Sequence, residues 1–252
     1  MGFFYTRPPI SQDEYDWLIA CFAWLRRVLD DAEIRPEFVT PSHPRLREAK
    51  TASELFAGVQ SLMGMKQWDC RLEQVEVDDS YDPAHHLVPE GGSACGTFSI
   101  ENGRAVIRYS SAMLRNPDAL AATFSHELCH YLLVNAGDPP GGPDLMEHST
   151  DCAAAYCGFG IMLANSARQF EQWSDGTMSG WRASTAGYLS EQALVTAAAI
   201  FARIHGQDPT EARLALKPYL QKDFAKAYKA TGQIDDWAKH LAAVDLLEWT
   251  YS

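Results

Sequence analysis

Two histidines four residues apart are the feature of this sequence that points most directly to chemistry. They lie in the segment His126-Glu-Leu-Cys-His130. In a helix, a spacing of four places two side chains on one face, one turn apart, where both imidazoles can bind one metal ion. Glu127 follows the first histidine, so its carboxylate would lie beside the metal, where it can hydrogen-bond a metal-bound water. The spacing predicts a metal centre with an adjacent base; the competing interpretation is two helix histidines and a solvent-facing glutamate.

A third ligand is expected from the segment Glu147-His-Ser-Thr-Asp151, because zinc in catalytic sites takes three protein ligands and a water. A loop rich in glycine and proline, residues 137–143, can reverse the chain in between. Glu147 and Asp151 share a helix face, whereas His148 is rotated by about 100° from Glu147. We predict Glu147 as the ligand, with Asp151 accepting the second N–H of a ligating histidine and fixing its tautomer. His148 is the alternative ligand, or a donor to an oxyanion.

Glu147 also has a purely structural interpretation. Asp144-Leu-Met-Glu147 resembles a capping box, in which the glutamate only accepts hydrogen bonds from the backbone at a helix start. Cys129 lies inside the motif but off the face of the two histidines, and it is predicted to be packed in the core.

The elements that must position these residues can be predicted from local signals. Asn116-Pro117 starts a helix that extends to about residue 134 and carries the two histidines. Residues 97–101 and 105–109 form a predicted hairpin, because Asn102-Gly103 suits a two-residue turn. The alternation in 68–77 predicts another strand. Asp144 is predicted to cap a helix over about 145–165, in which Gly158 and Gly160 would allow close packing against the motif helix.

Helices are predicted for the remaining parts of the chain. Capping-box patterns at Ser11 and Thr51 open helices over 15–29 and to about residue 63, and the chain from Tyr188 onward is predicted to be helical. The fold class is therefore α+β, with a small mixed sheet and a helical C-terminal half. We expect a single unit, with an N-terminal helical segment (1–66), a metal-binding core (67–165) and a C-terminal helical segment (166–252).

Composition limits the classes of partner and location. The net charge of −12 argues against nucleic acid as a partner, since binding to phosphates needs clustered lysine and arginine. The most apolar run, 152–164, is too short to span a membrane. The start of the sequence has no pattern of a secretory signal, and the six cysteines show no C-x-x-C pairing. A cytoplasmic protein is expected.

The order H-E-x-x-H, then E-x-x-x-D on the next helix, resembles the gluzincin branch of zincin-type metallopeptidases. In particular it is similar to the catalytic core of the CAAX-prenyl-protease and heat-shock membrane protease type, over about residues 97–165. The resemblance implies that His126, His130 and Glu147 bind one zinc ion per chain and that Glu127 is the general base. This sequence departs from those membrane proteases in having no transmembrane helix.

The predicted function is hydrolysis of peptide or protein amide bonds by a zinc-activated water. Zincins place a strand that pairs with the extended substrate just before the motif helix, and residues 105–109 stand in that place; the other interpretation of these residues is an ordinary core or edge strand. The alternative is a zinc-binding regulatory or binding protein that has a zincin-like fold and little hydrolytic activity. An intact Glu127 favours the enzyme, because a structural zinc needs no base there, and structural sites tend to be closed by four protein ligands.

Overall fold

Within the described residues, the sheet has three strands: β1 (Cys70–Val75), β2 (Gly96–Glu101) and β3 (Arg104–Ser110). The computed structural model describes residues 6–29, 37–76, 96–173, 189–246 and 249. The predicted hairpin is confirmed, since β2 and β3 pair antiparallel across a two-residue turn. Both turn residues have positive φ, 51° at Asn102 and 77° at Gly103, as a tight hairpin of this kind requires.

The strand order is β1-β3-β2, which makes the sheet mixed and puts β3 in its centre. β1 pairs parallel with β3, from Cys70 beside Ala105 to Val75 beside Ser110. Of the two interpretations of residues 105–109, the structure supports an ordinary core strand and not one that pairs with a substrate, because both edges of β3 are already hydrogen-bonded. The parallel neighbour comes from 68–77, of which residue 77 lies outside the described residues.

The predicted motif helix is α4 (Pro117–Leu133), the second layer against the sheet. Its N-terminus is capped as expected, with the side chain of Asn116 accepting a hydrogen bond from the amide of Ala119 at 3.1 Å. The helix contacts β2 and β3 on one side and helices on the others, so every residue from Ala119 to Cys129 is buried. Phe124, for example, packs edge-on against Tyr109 of the sheet with ring centroids 5.5 Å apart.

The described part of the chain before the sheet contains the helices α1 (Gln12–Val28), α2 (Pro44–Arg47) and α3 (Ala52–Leu62). The caps at Ser11 and Thr51 are present, and the second is a complete capping box. α3 packs against α4, while α1 packs against the helix that follows the motif helix and against the C-terminal helices.

The helix predicted over 145–165 is divided in two, a correction with a local cause. A 3₁₀ turn (Pro143–Leu145) leads into α5 (Met146–Ala154), a wider turn (Ala155–Phe159) follows, and α6 (Gly160–Trp173) continues. Gly158 has φ 94°, and a β-carbon there would collide with the backbone oxygen of Glu37. The amide of Val39 also donates to the carbonyl of Gly158 at 3.0 Å. The absence of a side chain at Gly158 therefore lets the segment of Glu37 and Val39 pack directly against this turn.

Two further expectations for this region are wrong. Asp144 does not cap α5, whose first turn has no side-chain cap because the 3₁₀ turn leads directly into it. Gly158 and Gly160 do not make their close approach to the motif helix: the nearest neighbours of a β-carbon at Gly160 are Ala198 and Ala155.

The C-terminal part is helical, as predicted: α7 (Glu191–His205), α8 (Pro209–Ala215), α9 (Gln221–Thr231) and α10 (Trp237–Ala242). α7 packs between α6 and α9, and it also contacts α1, so the N- and C-terminal parts share the hydrophobic core. Within the part of the chain that the structure describes, no helix combines the length and apolar character needed to cross a bilayer.

Candidate metal centre

The two motif histidines turn their rings toward each other from successive turns of α4. Their Nε2 atoms are 3.1 Å apart, and the ring planes are inclined at 81°. His126 is almost fully buried, with 4% of its surface exposed, whereas His130 is partly exposed. The predicted convergence of the two imidazoles is present, which excludes the interpretation of two unrelated helix histidines.

Glu147 completes the group from the start of α5. Its Oε2 lies 3.3 Å from Nε2 of His126 and 3.4 Å from Nε2 of His130. These three residues offer donor atoms that all lie within 4.8 Å of one another. The carboxylate faces the imidazoles, so the capping-box interpretation of Glu147 is wrong.

The separations between the three donor atoms suit a tetrahedral ion. Two ligand atoms about 2.0–2.1 Å from a shared ion, at a tetrahedral angle, are about 3.3 Å apart. The three observed separations, 3.1, 3.3 and 3.4 Å, lie close to this value. The side chains therefore already have the spacing of three tetrahedral ligands, and a cation could bind with little rearrangement.

Asp151 holds the ring of His126 from the side opposite to the donor group. Its Oδ1 lies 2.9 Å from Nδ1 of His126, and its Oδ2 accepts a hydrogen bond from the amide of Leu189, also at 2.9 Å. An ionised carboxylate can only accept hydrogen bonds, so Nδ1 of His126 carries the proton. Nε2 is then the atom presented to a metal, as the sequence predicted for this pair.

Thr150 has the corresponding position beside His130, a role that was not among those predicted from the sequence. Its Oγ1 lies 3.5 Å from Nδ1 of His130 and donates a hydrogen bond to the carbonyl of Met146 at 2.9 Å. Because the hydroxyl proton is committed to that carbonyl, Oγ1 can accept from His130. The signal was available, since Thr150 is three residues after Glu147 on the same helix.

In the metal-free site, His126 and the carboxylates beside it shift each other's pKa. Burial alone would lower the pKa of His126, but hydrogen bonds to Asp151 and Glu147 outweigh it and raise the pKa to about 10. Burial would raise the pKa of Glu147, but hydrogen bonds with His126 and His130 lower it to about 2. In the absence of metal, the positive charge beside these carboxylates is thus a proton on His126. A metal ion that binds His126 must displace this proton.

Glu127 lies beside this group without belonging to it. Its side chain is only 2% exposed, and its carboxylate is not one of the three clustered donors. Burial raises the pKa of Glu127; His126 and His130 oppose this effect, while Glu147 and Asp151 add to it. Such a carboxylate is a better proton acceptor than an exposed one.

The structure also places the other predicted residues. His148 is buried edge-on against Trp17 of α1, with ring centroids 6.2 Å apart, and is not one of the three donors. Cys129 is fully buried and hydrogen-bonds with Cys157, as a packed residue would. The five cysteines within the described residues are not in disulfides.

Strand β2 lies along the same helix and contacts the site at two points. The ring of Phe98 stacks on that of His130, with planes inclined at 8° and centroids 6.3 Å apart, and also on that of Tyr131. Gly96 lies next to Glu127. No local pattern predicts either contact, because each depends on how the sheet packs against α4.

In comparisons with known proteins, no protein-family model, no curated protein and no solved structure matches this chain. The assignment of a function therefore depends on the site alone.

Proposed function

We propose that this protein is a zinc-dependent peptidase of the zincin type, in which Glu127 is the general base. The observation that carries the proposal is the three-donor group of His126, His130 and Glu147, with a buried carboxylate on the residue next to a ligand. The helix spacing of the histidines and the glutamate on the following helix are those of the gluzincin pattern.

The donor set favours zinc over the other common divalent cations. Two imidazole nitrogens and one carboxylate are ordinary zinc ligands, whereas magnesium and calcium prefer sites made of oxygen alone. Three protein ligands also correspond to the number found at catalytic zinc ions. Asp151 and Thr150 would fix the two rings with Nε2 toward the metal.

The chain's own residues would then divide the work of hydrolysis. Bound zinc would supply an activated water and polarise the substrate carbonyl. Glu127 accepts a proton from the attacking water and delivers it to the leaving amine, a role for which a raised pKa is suitable. His126 keeps its orientation throughout, because Asp151 retains its hydrogen bond to Nδ1.

A peptide is the substrate class that the sheet can accommodate. β2 pairs with β3 along one edge, and no described strand pairs with its other edge. An extended peptide could add there through backbone hydrogen bonds, beside the helix that carries the metal ligands. β2 thus takes the role that the sequence analysis assigned to residues 105–109.

The test combines metal analysis with hydrolysis. The purified protein should contain about one zinc per chain and cleave members of a library of internally quenched fluorescent peptides. Glu127→Gln should retain zinc and lose at least about a hundredfold in rate, since general-base catalysis contributes about 10²–10⁴-fold. Glu211→Gln, the same change at an exposed position of α8, is the matched control.

Three results would contradict the proposal. Absence of bound metal would remove the centre itself. Equal hydrolysis by Glu127→Gln would remove Glu127 from its role. Zinc bound by a protein that cleaves no peptide would leave the alternative, a zinc-binding regulatory protein.

A further inference from the structure

Gly96, the first residue of β2, packs against the part of α4 that carries Glu127. A β-carbon built at Gly96 would lie 2.6 Å from Cγ2 of Thr123 and 3.0 Å from Oε1 of Glu127. It would also lie 3.2 Å from Cγ of Glu127. Contacts below 3.0 Å are essentially never seen for real β-carbons, and those between 3.0 and 3.4 Å are tighter than nearly all of them.

Neither neighbour has much room to move away. Thr123 and Glu127 are one turn apart on a buried helix, with 3% and 2% of their surfaces exposed. Gly96 itself is fixed in the sheet, where it pairs with Tyr109. An added methyl group must therefore displace the methyl of Thr123, the carboxylate of Glu127, or both.

We propose that Gly96 is a positioning residue for Glu127. The absence of a side chain at this one position of β2 lets the strand lie against the helix while Glu127 keeps its orientation. The inference rests on the proposed function, since it assigns a role toward the catalytic base. It does not involve the metal ligands, because none of the three heavy atoms nearest the added methyl group belongs to one of them.

The added β-carbon would meet two different residues, Thr123 and Glu127, so an effect on packing can be separated from an effect on the position of Glu127. Thr123→Ser removes Cγ2, the atom of the 2.6 Å contact, and keeps the hydroxyl. In the double variant Gly96→Ala/Thr123→Ser, the 3.0 Å contact with Glu127 remains. If Gly96 acts only through packing, the second substitution restores both thermal stability and kcat. If Gly96 acts through Glu127, kcat stays below the wild-type value.

The experiment compares the zinc-loaded wild type with Gly96→Ala, Thr123→Ser and the double variant. Gly58→Ala is the control, since a β-carbon in that helix would meet nothing nearer than 3.4 Å. Gly96→Ala should keep its zinc and its KM within about twofold while kcat falls about ten- to a hundredfold, because a small misplacement of a catalytic group has effects of this size. The double variant should recover thermal stability but not full kcat.

Crystal structures of zinc-loaded wild type and double variant supply a readout that is independent of turnover. The carboxylate of Glu127 should move by at least about 0.4 Å or change rotamer, as relief of a 3.0 Å contact to ordinary distances requires. If Gly96→Ala does not fold, the double variant carries the whole test.

Two results would overturn the inference: a carboxylate that stays in place, or a double variant with wild-type kcat. If no form of the protein cleaves peptides, the proposed function fails, and the displacement of the carboxylate still decides the role of Gly96.

Discussion

Replacing Asp151 with asparagine in the metal-free protein tests the electrostatics of the site. The wild-type carboxylate accepts hydrogen bonds from the ring of His126 and from the amide of Leu189, both at 2.9 Å. Asparagine has nearly the same shape but only one acceptor oxygen. Its NH₂ group must face one of the two donors, so the variant loses both the negative charge and a hydrogen bond.

The magnitude follows from the pKa of His126, which is raised from 6.5 to about 10. This difference corresponds to about 5 kcal/mol of preference for the charged ring in the folded state. Because the folded pKa is the higher one, this stabilisation is fully present below pH 6.5 and is lost as the pH rises through 10. The lowered pKa of Glu147 arises in part from the same contact with His126. The stabilisations that the two pKa shifts imply are therefore not added.

Urea unfolding of chelator-treated protein measures this dependence. Between pH 6.5 and 9.5, the free energy of unfolding of the wild type should fall more than that of Asp151→Asn, by up to about 3–4 kcal/mol, since Glu147 also raises the pKa of His126 and remains in the variant. Nitrogen-15 NMR of the imidazoles should show His126 charged at pH 8 in the wild type, where an ordinary histidine would be neutral. Asp208→Asn, a change at an exposed helix cap, should leave the pH dependence unaltered.

Parallel pH dependences for wild type and Asp151→Asn would refute the reasoning. So would a neutral His126 ring in the metal-free wild type at pH 8. Either result would mean that the carboxylate does not hold a proton on the ring where a metal ion is expected to bind.

Three further variants address the ligand, its support and the fold. Glu147→Ala should weaken zinc binding, measured by competition with a chelator, far more than Asp151→Ala, and the reverse order would reassign the third ligand. Thr150→Val should weaken zinc binding about 10–100-fold, as loss of a partner behind a ligand does, whereas Thr150→Ser should not; equal affinities would exclude the hydroxyl as a support. Gly158→Ala should destabilise the protein to urea several times more than Gly206→Ala, because both have positive φ but only the first meets a backbone oxygen; similar losses would contradict this.

Local signals predicted the elements and the ligand group well. The motif helix has its cap at Asn116, and the hairpin has its turn at Asn102-Gly103, because both signals act within a few residues. The spacing of His126 and His130 and the position of Glu147 on the next helix were sufficient to predict the donor group.

The errors concern contacts between distant parts of the chain. The central place of β3 depends on its parallel pairing with a strand 35 residues earlier, which no turn signal encodes. The break at Gly158 depends on the backbone of Glu37, more than a hundred residues away. Gly96 was missed for the same kind of reason, since a glycine shows its role only when the atoms opposite it are known.

The hydrogen bond between Asp151 and Leu189 connects the candidate metal centre to the C-terminal half of the chain, although that half supplies none of the three donors. One carboxylate oxygen of Asp151 accepts from a backbone amide two residues before α7, while the other oxygen reaches His126. A change that withdraws this amide, such as proline at position 189, would alter the affinity for metal from 38 residues away in sequence. Evolution could therefore adjust the strength of the centre through a connecting segment, without substituting a ligand.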